Sequence, residues 1–370
     1  MSQLIEVVDT YDDAARMMAI CNACRYCEGF CAVFPAMTTR REFGAETLDY
    51  LSNLCHNCGA CYHACQYKPP HEFDVNVPRR LAEVRNYSYQ NYAWPRAFSR
   101  AFFRNGTLVS WVTAVSISLV LGLGALLVDS EQLWAEHIGS GAFYAIVPHR
   151  VMVSVAGAVF LFSIFASVMG CRRFLRHSGP PVENLVSAAT LRSVAGDVAS
   201  MRYLGGSHGE GCNDADERFS NKRRCYHQLT MWGFLLCFAA TSVATVYELA
   251  LGWMSPFDYT SLPVLLGTVG GAGLIVGPLG LIWVKRQTAA ETRAADLQGA
   301  DYGLLVQLLM ISITGFAVLI WRETSAMGLL LLLHLGWVLG FFLLLPYGKF
   351  VHGVYRFAAL LRFHAENRVG

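Results

Sequence analysis

Eight of the 12 cysteines in this 370-residue chain lie within residues 21–65. They form two runs of one spacing, Cys21-x2-Cys24-x2-Cys27-x3-Cys31 and Cys55-x2-Cys58-x2-Cys61-x3-Cys65. Three thiolates at two-residue gaps can bind three corners of a cubane iron–sulfur cluster, and in two-cluster ferredoxins the fourth cysteine of each run binds the other cluster. The spacing therefore predicts one 4Fe–4S cluster on Cys21, Cys24, Cys27 and Cys65. It predicts a second on Cys55, Cys58, Cys61 and Cys31.

Zinc is the alternative for these thiols, because zinc sites are built from CxxC doublets. Two four-cysteine runs are poorly explained by doublets, so we favour iron–sulfur clusters. A separate zinc hypothesis concerns the polar segment before the third apolar stretch, whose possible ligands are His208, Cys212, Cys225 and His227. The remaining cysteines, Cys171 and Cys237, are typical of small interior residues.

Histidines are the informative residues of the apolar half. Ionisable groups within apolar segments are costly and indicate function. His227 and His352 both lie at the predicted inner boundary of the membrane, so they can bind one haem b from facing helices. His149 and His334 both lie in the outer half and could hold a second haem. For His334, a hydrogen bond in a quinone pocket or a packed helix–helix contact remains an equal alternative.

The depth of these histidines follows from the helices that carry them. His334 lies within Leu-Leu-Leu-Leu-His-Leu-Gly of the last apolar stretch, and His352 follows 18 residues later. On a continuous helix that rises 1.5 Å per residue, this separation is about 27 Å. The two histidines of this segment are therefore expected at different depths.

Six apolar stretches within residues 101–370 provide these helices. Charged residues make up 15% of the chain, against roughly 25% in soluble proteins. Each stretch approaches the roughly 20 residues that cross a bilayer as a helix. We place them at 108–128, 151–170, 229–250, 262–284, 304–321 and 326–346. The predicted fold is mainly α, a cytochrome b-like bundle of six transmembrane helices with a ferredoxin-like head, residues 1–100.

Basic residues predict the orientation of the bundle. With the head inside, the cytoplasmic segments hold 27 of the 29 Lys and Arg residues, and only Arg150 and Arg322 lie outside. Both termini and the polar loop 171–226 are therefore expected in the cytoplasm. The first residues are acidic and lack the features of a secretory signal, and cytoplasmic cysteines stay reduced. Clustered cysteines then indicate metal ligands rather than disulfides.

Several segments together resemble one family. They are ICNACRYCEGFCAVFPA (residues 20–36), NLCHNCGACYHACQY (53–67), PPHEFDVNVP (69–78), RRCYH (223–227) and PYGKFVHGVYRF (346–357). Nearly the whole chain is similar to the tricarballylate-utilisation protein B family, also called citrate-utilisation protein B. The membrane half also resembles nitrate reductase gamma-type cytochromes, whose last haem-bearing helix carries two well-separated histidines.

The resemblance implies two 4Fe–4S clusters, a b-type haem and a place in the bacterial inner membrane. It also implies a flavoprotein partner, an FAD-dependent tricarballylate dehydrogenase that forms cis-aconitate. The chain would reoxidise the FAD of that partner and pass the electrons to membrane quinone.

The residues agree with this function. No GxGxxG fingerprint follows a strand, so we expect no FAD or NAD site on this chain. A net charge of +2 gives no indication of nucleic-acid binding. Two alternatives remain open: a membrane redox sensor, and an anchoring subunit with a degenerate cytochrome half. A sensor would need an output domain, and the segment after His352 is short.

Overall fold

Helices form nearly all the regular structure of this chain. A computed structural model describes residues 2–99, 105–206, 209–294 and 297–367. Within these ranges the β structure is limited to one isolated antiparallel bridge between Cys212 and Ser220. The prediction of a mainly α fold is confirmed.

Five helices build the head. They are α1 (Ser2–Cys24), α2 (Val33–Thr38), α3 (Ala45–Leu54), α4 (Ala60–His63) and α5 (Val77–Tyr92). Helix α5 begins where the side chain of Asn76 accepts a hydrogen bond from the backbone N–H of Arg79, with Pro78 in the first turn. Leu51, Leu81 and Val84 are fully buried between α3 and α5. The cysteine runs lie at the ends of these helices.

Six long helices follow, and each is long and apolar enough to cross a membrane. They are α6 (Asn105–Leu127), α9 (His149–His177), α11 (Lys222–Leu251), α12 (Leu262–Gln287), α13 (Gln298–Trp321) and α14 (Met327–Leu344). Two short helices, α7 (Ser130–Leu133) and α8 (Ala142–Ile146), connect α6 to α9. The prediction of six apolar helices is confirmed.

Three of these helices extend by more than one turn beyond the predicted stretches. Helix α9 continues to His177, α11 begins at Lys222, and α13 begins at Gln298. Hydropathy marks the part of a helix that suits hydrocarbon, whereas backbone hydrogen bonds continue through the polar turns beyond it. The polar loop is correspondingly shorter than predicted, and it contains α10 (Ala188–Ser200).

The helix that carries His334 does not continue to His352. Helix α14 ends at Leu344, and α15 begins at Val351 and ends at Glu366. Pro346 has no N–H for a helical hydrogen bond, and its ring clashes with the carbonyl four residues earlier. The expectation of one continuous helix was wrong, so the distance of about 27 Å along its axis does not apply.

Helix α15 packs into the head rather than into the bundle. Tyr355, Ala358 and Leu361 are buried in the same apolar core as α3 and α5. The helix also contacts α9 and α10. The head, the polar loop and α15 therefore lie together at one end of the bundle.

Close packing joins α11 to α12 near the middle of the bundle. A Cβ atom on Gly233 would lie 2.8 Å from the carbonyl oxygen of Gly270. Small residues at such a crossing let two helix backbones approach directly, as in many membrane bundles. This contact fixes the position of α11, the helix that carries His227.

Candidate metal centres

The first predicted set of thiols surrounds a cavity of about 290 Å³. Two of its cysteines end α1, one lies in the following turn, and one follows α4; they are Cys21, Cys24, Cys27 and Cys65. Arg25 adopts a left-handed conformation with φ of 56°, which turns the chain between the second and third of them. The cavity is larger than one metal ion with bonds of about 2.3 Å to sulfur requires.

The second predicted set lines a narrower gap of about 20 Å³. Its members are Cys55, Cys58, Cys61 and Cys31. Gly59 lies in the tight turn between two of them, with φ of 77°. A Cβ atom there would lie 2.3 Å from the carbonyl oxygen of Asn213, so this turn admits glycine and little else.

The structure thus groups the eight thiols in the two sets that the spacing predicts, with the fourth cysteine of each run beside the other run. Burial, followed by repulsion from neighbouring thiolates, raises the pKa of Cys21 and Cys27 to about 12 each. Four thiolates at such a site need bound cations to stabilise them. Among the described residues, no three His, Cys, Asp or Glu side chains form a group that could hold a single metal ion. Ligation by these eight cysteines remains a prediction.

The two sets differ in their surroundings. The first cavity opens beside Tyr26, whose side chain is 69% exposed. The second gap is bordered by Tyr203 of the polar loop and by His56. Cys61 borders both cavities. The first set therefore lies nearer to solvent, and the second set lies between it and the rest of the protein.

His227 and His352 meet at the end of the bundle that faces the head. Their ring centroids are 6.0 Å apart, and the ring planes are 77° apart. The pair offers two imidazole donors close to one another. Ligation of a haem iron by His227 and His352 remains a prediction.

The orientation of His352 also suits a metal ligand. Its Nδ1 donates to the carbonyl oxygen of Lys349 at 2.6 Å, which leaves Nε2 available. Burial, followed by the charge of Arg356, lowers the pKa of His352 well below its usual value. The ring is therefore neutral at physiological pH, and neutral imidazole is the form that binds metals.

The outer histidines have polar partners on other helices. Nε2 of His149 lies 3.4 Å from a carboxylate oxygen of Glu248, which also accepts a hydrogen bond from Tyr144. Nδ1 of His334 lies 3.0 Å from the hydroxyl oxygen of Thr314. The contact with Thr314 corresponds to the helix–helix alternative for His334. A second haem on His149 and His334 remains a prediction.

The three described residues of the zinc hypothesis for the polar loop do not form one site. Cys212 is fully buried and donates to the carbonyl oxygen of Leu204 at 3.2 Å. Cys225 is exposed on α11, and His227 faces His352. Of the possible ligands, His208 lies outside the described residues. The three described residues do not form a group that could hold a metal.

Two arginines that sequence reasoning missed contact the second cysteine run. Arg85 and Arg356 both donate to the carbonyl oxygen of Cys55, at 2.5 and 2.8 Å. Arg356 lies four residues after His352, on the same side of α15, and this spacing was a signal in the sequence. Nothing local marked Arg85, because its role depends on the packing of α5 against α3.

The polar loop contacts the same cysteine run from another side. The backbone N–H of Asn213 donates to the carbonyl oxygen of Cys58 at 2.9 Å. Arg223, four residues before His227, donates to the carbonyl oxygen of Asn57 and forms an ion pair with Asp214. Both histidine-bearing helices therefore bind the turn that carries the second set of cysteines.

Comparisons with known proteins cover both halves of the chain. A profile described as citrate utilization protein B matches residues 104–370. A second, described as the citrate utilization protein B Fer4-like domain, matches residues 14–102. A protein of Escherichia coli named citrate utilization protein B is 47% identical over 358 residues, which cover 97% of this chain and 93% of that protein. No solved structure matches the chain.

Proposed function

Because the chain belongs to the citrate utilization protein B family, we propose that it is a membrane electron-transfer protein. It reoxidises the reduced FAD of a partner tricarballylate dehydrogenase and delivers the electrons to the quinone pool. Its residues would hold two 4Fe–4S clusters and one haem b. The Fer4-like head and the six apolar helices support an iron–sulfur membrane protein in citrate or tricarballylate utilisation.

The observation that carries this proposal is the continuity of the predicted ligand groups. Cys61 borders both cysteine cavities. Arg356 and Arg223 then connect the second cysteine turn to the helices that carry His352 and His227. The three ligand groups therefore follow one another through direct contacts, and this proximity supports a one-electron path between them.

The order of these ligand groups supports a direction of electron transfer, from a soluble partner toward the membrane. The first cavity opens beside the exposed Tyr26, so a soluble partner can approach it. The histidine pair lies against the apolar bundle, where a quinone dissolved in lipid can approach. The clusters and haem, when bound, exchange single electrons, and they can thereby connect a flavin to a quinone. The protein holds these groups in place and excludes water from the inner ones.

Placement of the head, the polar loop and α15 at one end of the bundle supports the predicted orientation. Basic residues are concentrated in these same segments. We therefore place this end and both termini in the cytoplasm, with the chain in the bacterial inner membrane. This arrangement supports a cytochrome b-like bundle with one haem, which His227 and His352 would hold.

The test combines three components: the reduced flavoprotein, this protein in membranes and a quinone analogue. We expect flavin and haem absorbance to change together, and no organic acid to be oxidised when the flavoprotein is omitted. The Cys58→Ser variant serves as the control for the clusters. Equally fast flavin reoxidation with that variant would exclude the clusters from the path and favour an anchoring or sensing role.

A further inference from the structure

Two guanidinium groups meet at one carbonyl oxygen between the second cysteine set and the histidine pair. Arg85 is 6% exposed and donates to the carbonyl oxygens of Ser52 and Cys55. Arg356 donates to the same oxygen of Cys55 at 2.8 Å, and its Nε is buried without a hydrogen-bond partner. Neither group forms an ion pair with a carboxylate among the residues that the structure describes.

Arg356 is half-buried and Arg85 is buried, and arginines in such positions are generally paired with a negative group. Two other arginines of this chain follow that rule. Arg362, 2% exposed on the same helix as Arg356, lies 2.8 Å from Glu366. Arg223 lies 2.5 Å from Asp214. Arg85 and Arg356 therefore need a negative partner of another kind.

The neighbours of the two arginines identify that partner. Both arginines act electrostatically on the side chains of Cys55 and His56, and Arg356 also acts on that of His352. The guanidinium of Arg356 is charged at neutral pH, because arginine is not deprotonated in proteins. An imidazole carries no negative charge, whereas four thiolates around an iron–sulfur core leave net negative charge. The negative partner is thus on the cysteine side.

We propose that Arg85 and Arg356 are the counter-charges of the second 4Fe–4S cluster and raise its reduction potential above that of the first. This inference rests on the proposed function, because it requires the clusters. Each cluster gains one electron and one negative charge when reduced, and a nearby positive charge stabilises that state. The first set also has a basic neighbour, Lys68 beside Cys65, but that ammonium group lies 3.6 Å from the carboxylate of Glu217 and is therefore paired. Electrons would therefore pass from the first cluster to the second, toward the haem.

The test is a redox titration of the purified full chain, followed by electron paramagnetic resonance. The signal that Cys31→Ser removes identifies the second cluster. In Arg356→Gln and in Arg85→Gln we expect the ratio of reduced to oxidised second cluster, at fixed potential, to fall about tenfold. This corresponds to a midpoint lower by about 59 mV for one electron. The first cluster should shift much less.

Two further variants distinguish the effect of losing the positive charge from the effect of disturbing the fold. Arg356→Lys keeps the charge and should keep the midpoint near that of the unmodified protein. Arg362→Gln removes a buried but paired arginine from the same helix, and it should leave both midpoints unchanged. Iron and acid-labile sulfide are measured in every variant. If Arg356→Gln loses its clusters, the midpoint potential of the second cluster in Arg85→Gln tests the inference. Arg356→Lys then serves as the comparison that keeps the charge.

Unchanged midpoints in Arg85→Gln and Arg356→Gln proteins that retain eight cluster irons would overturn the inference. So would an equal fall for both clusters, or a fall in Arg356→Lys as large as in Arg356→Gln. An unmodified protein without acid-labile sulfide would instead refute the proposed function. The two failures are therefore distinguishable in one set of samples.

Discussion

The guanidinium of Arg223 donates to the carbonyl oxygen of Asn57 across 2.5 Å. Arg223 lies in the first turn of the helix that carries His227, and Asn57 lies between two cysteines of the second run. A hydrogen bond from a charged group is stronger than a neutral one, and its short length restricts relative movement. The distance between the second cysteine set and His227 is therefore fixed by the protein itself.

Serine variants of the fourth cysteines test the crossed assignment of ligands. The unmodified protein should contain about eight cluster irons, as eight thiolates for two cubanes require. Cys65→Ser should damage the cluster on Cys21, Cys24 and Cys27, and Cys31→Ser should damage the other. Iron, acid-labile sulfide and paramagnetic resonance spectra measure the effect.

The exposed Cys225 on α11 provides the matched control, and Cys225→Ser should retain both clusters. Loss confined to the run that contains the substituted cysteine would contradict the crossed assignment. Zinc in place of iron and sulfide would contradict the ferredoxin-like head altogether.

Alanine variants of the histidines test the haem site. His227→Ala and His352→Ala should each abolish a low-spin b-type spectrum, because each removes one of two axial ligands. His149→Ala and His334→Ala are the controls and should keep the spectrum, since these side chains contact Glu248 and Thr314. Loss of haem in all four variants would indicate two haems. Full haem content in both inner variants would show that this pair is not the ligand.

Gly59→Ala should disturb the second cysteine turn. At φ of 77° an alanine costs about 1–2 kcal/mol, and its Cβ would also overlap the carbonyl oxygen of Asn213. We expect lower thermal stability and less iron in the second cluster. Gly196→Ala is the control, because it lies within α10 with nothing within 4 Å of the added atom. Alanine should stabilise that helix by up to about 1 kcal/mol. Equal behaviour of the two variants would refute the steric argument.

Asp49 should give the head a pH-dependent stability. Its carboxylate is 3% exposed and accepts hydrogen bonds from the hydroxyls of Tyr11 and Tyr92. Burial raises its pKa to about 6, against the opposing effect of these two hydrogen bonds. Between pH 4 and 6 the folded state therefore binds this proton and the unfolded state does not. Stability should fall as the pH rises through this range, by about 3 kcal/mol in all, and then level off.

The variant Asp49→Asn removes this contribution, so its unfolding free energy should vary less between pH 4 and 6. The measurement is denaturant unfolding of the full chain in detergent at several pH values. Asp9→Asn, at an exposed position of α1, is the control and should follow the unmodified protein. The same pH dependence in Asp49→Asn and Asp9→Asn would refute the role of Asp49.

The parts of the site that sequence reasoning anticipated depend on local spacing. The cysteine sets follow from two-residue gaps, and the pairing of His227 with His352 follows from equal predicted depth. The break after Leu344 was also marked locally, by Pro346, but hydropathy alone obscured it. The spacing of Arg356 from His352 was a signal, but Arg85 had none, and the contact of both with Cys55 could not be anticipated. They meet there because α5 and α15 both pack against the turn that carries this residue.

The packing of α15 into the head also determines when the head can complete its fold during synthesis. Leu48, Leu81 and Val84 share their core with Ala358 and Leu361, which leave the ribosome after all six apolar helices. Chains fold from the amino terminus as they are made, at about 5–20 residues per second. The head must therefore wait for the membrane helices before its core is complete. During that interval the carbonyl oxygen of Cys55 lacks the hydrogen bond that Arg356 later donates.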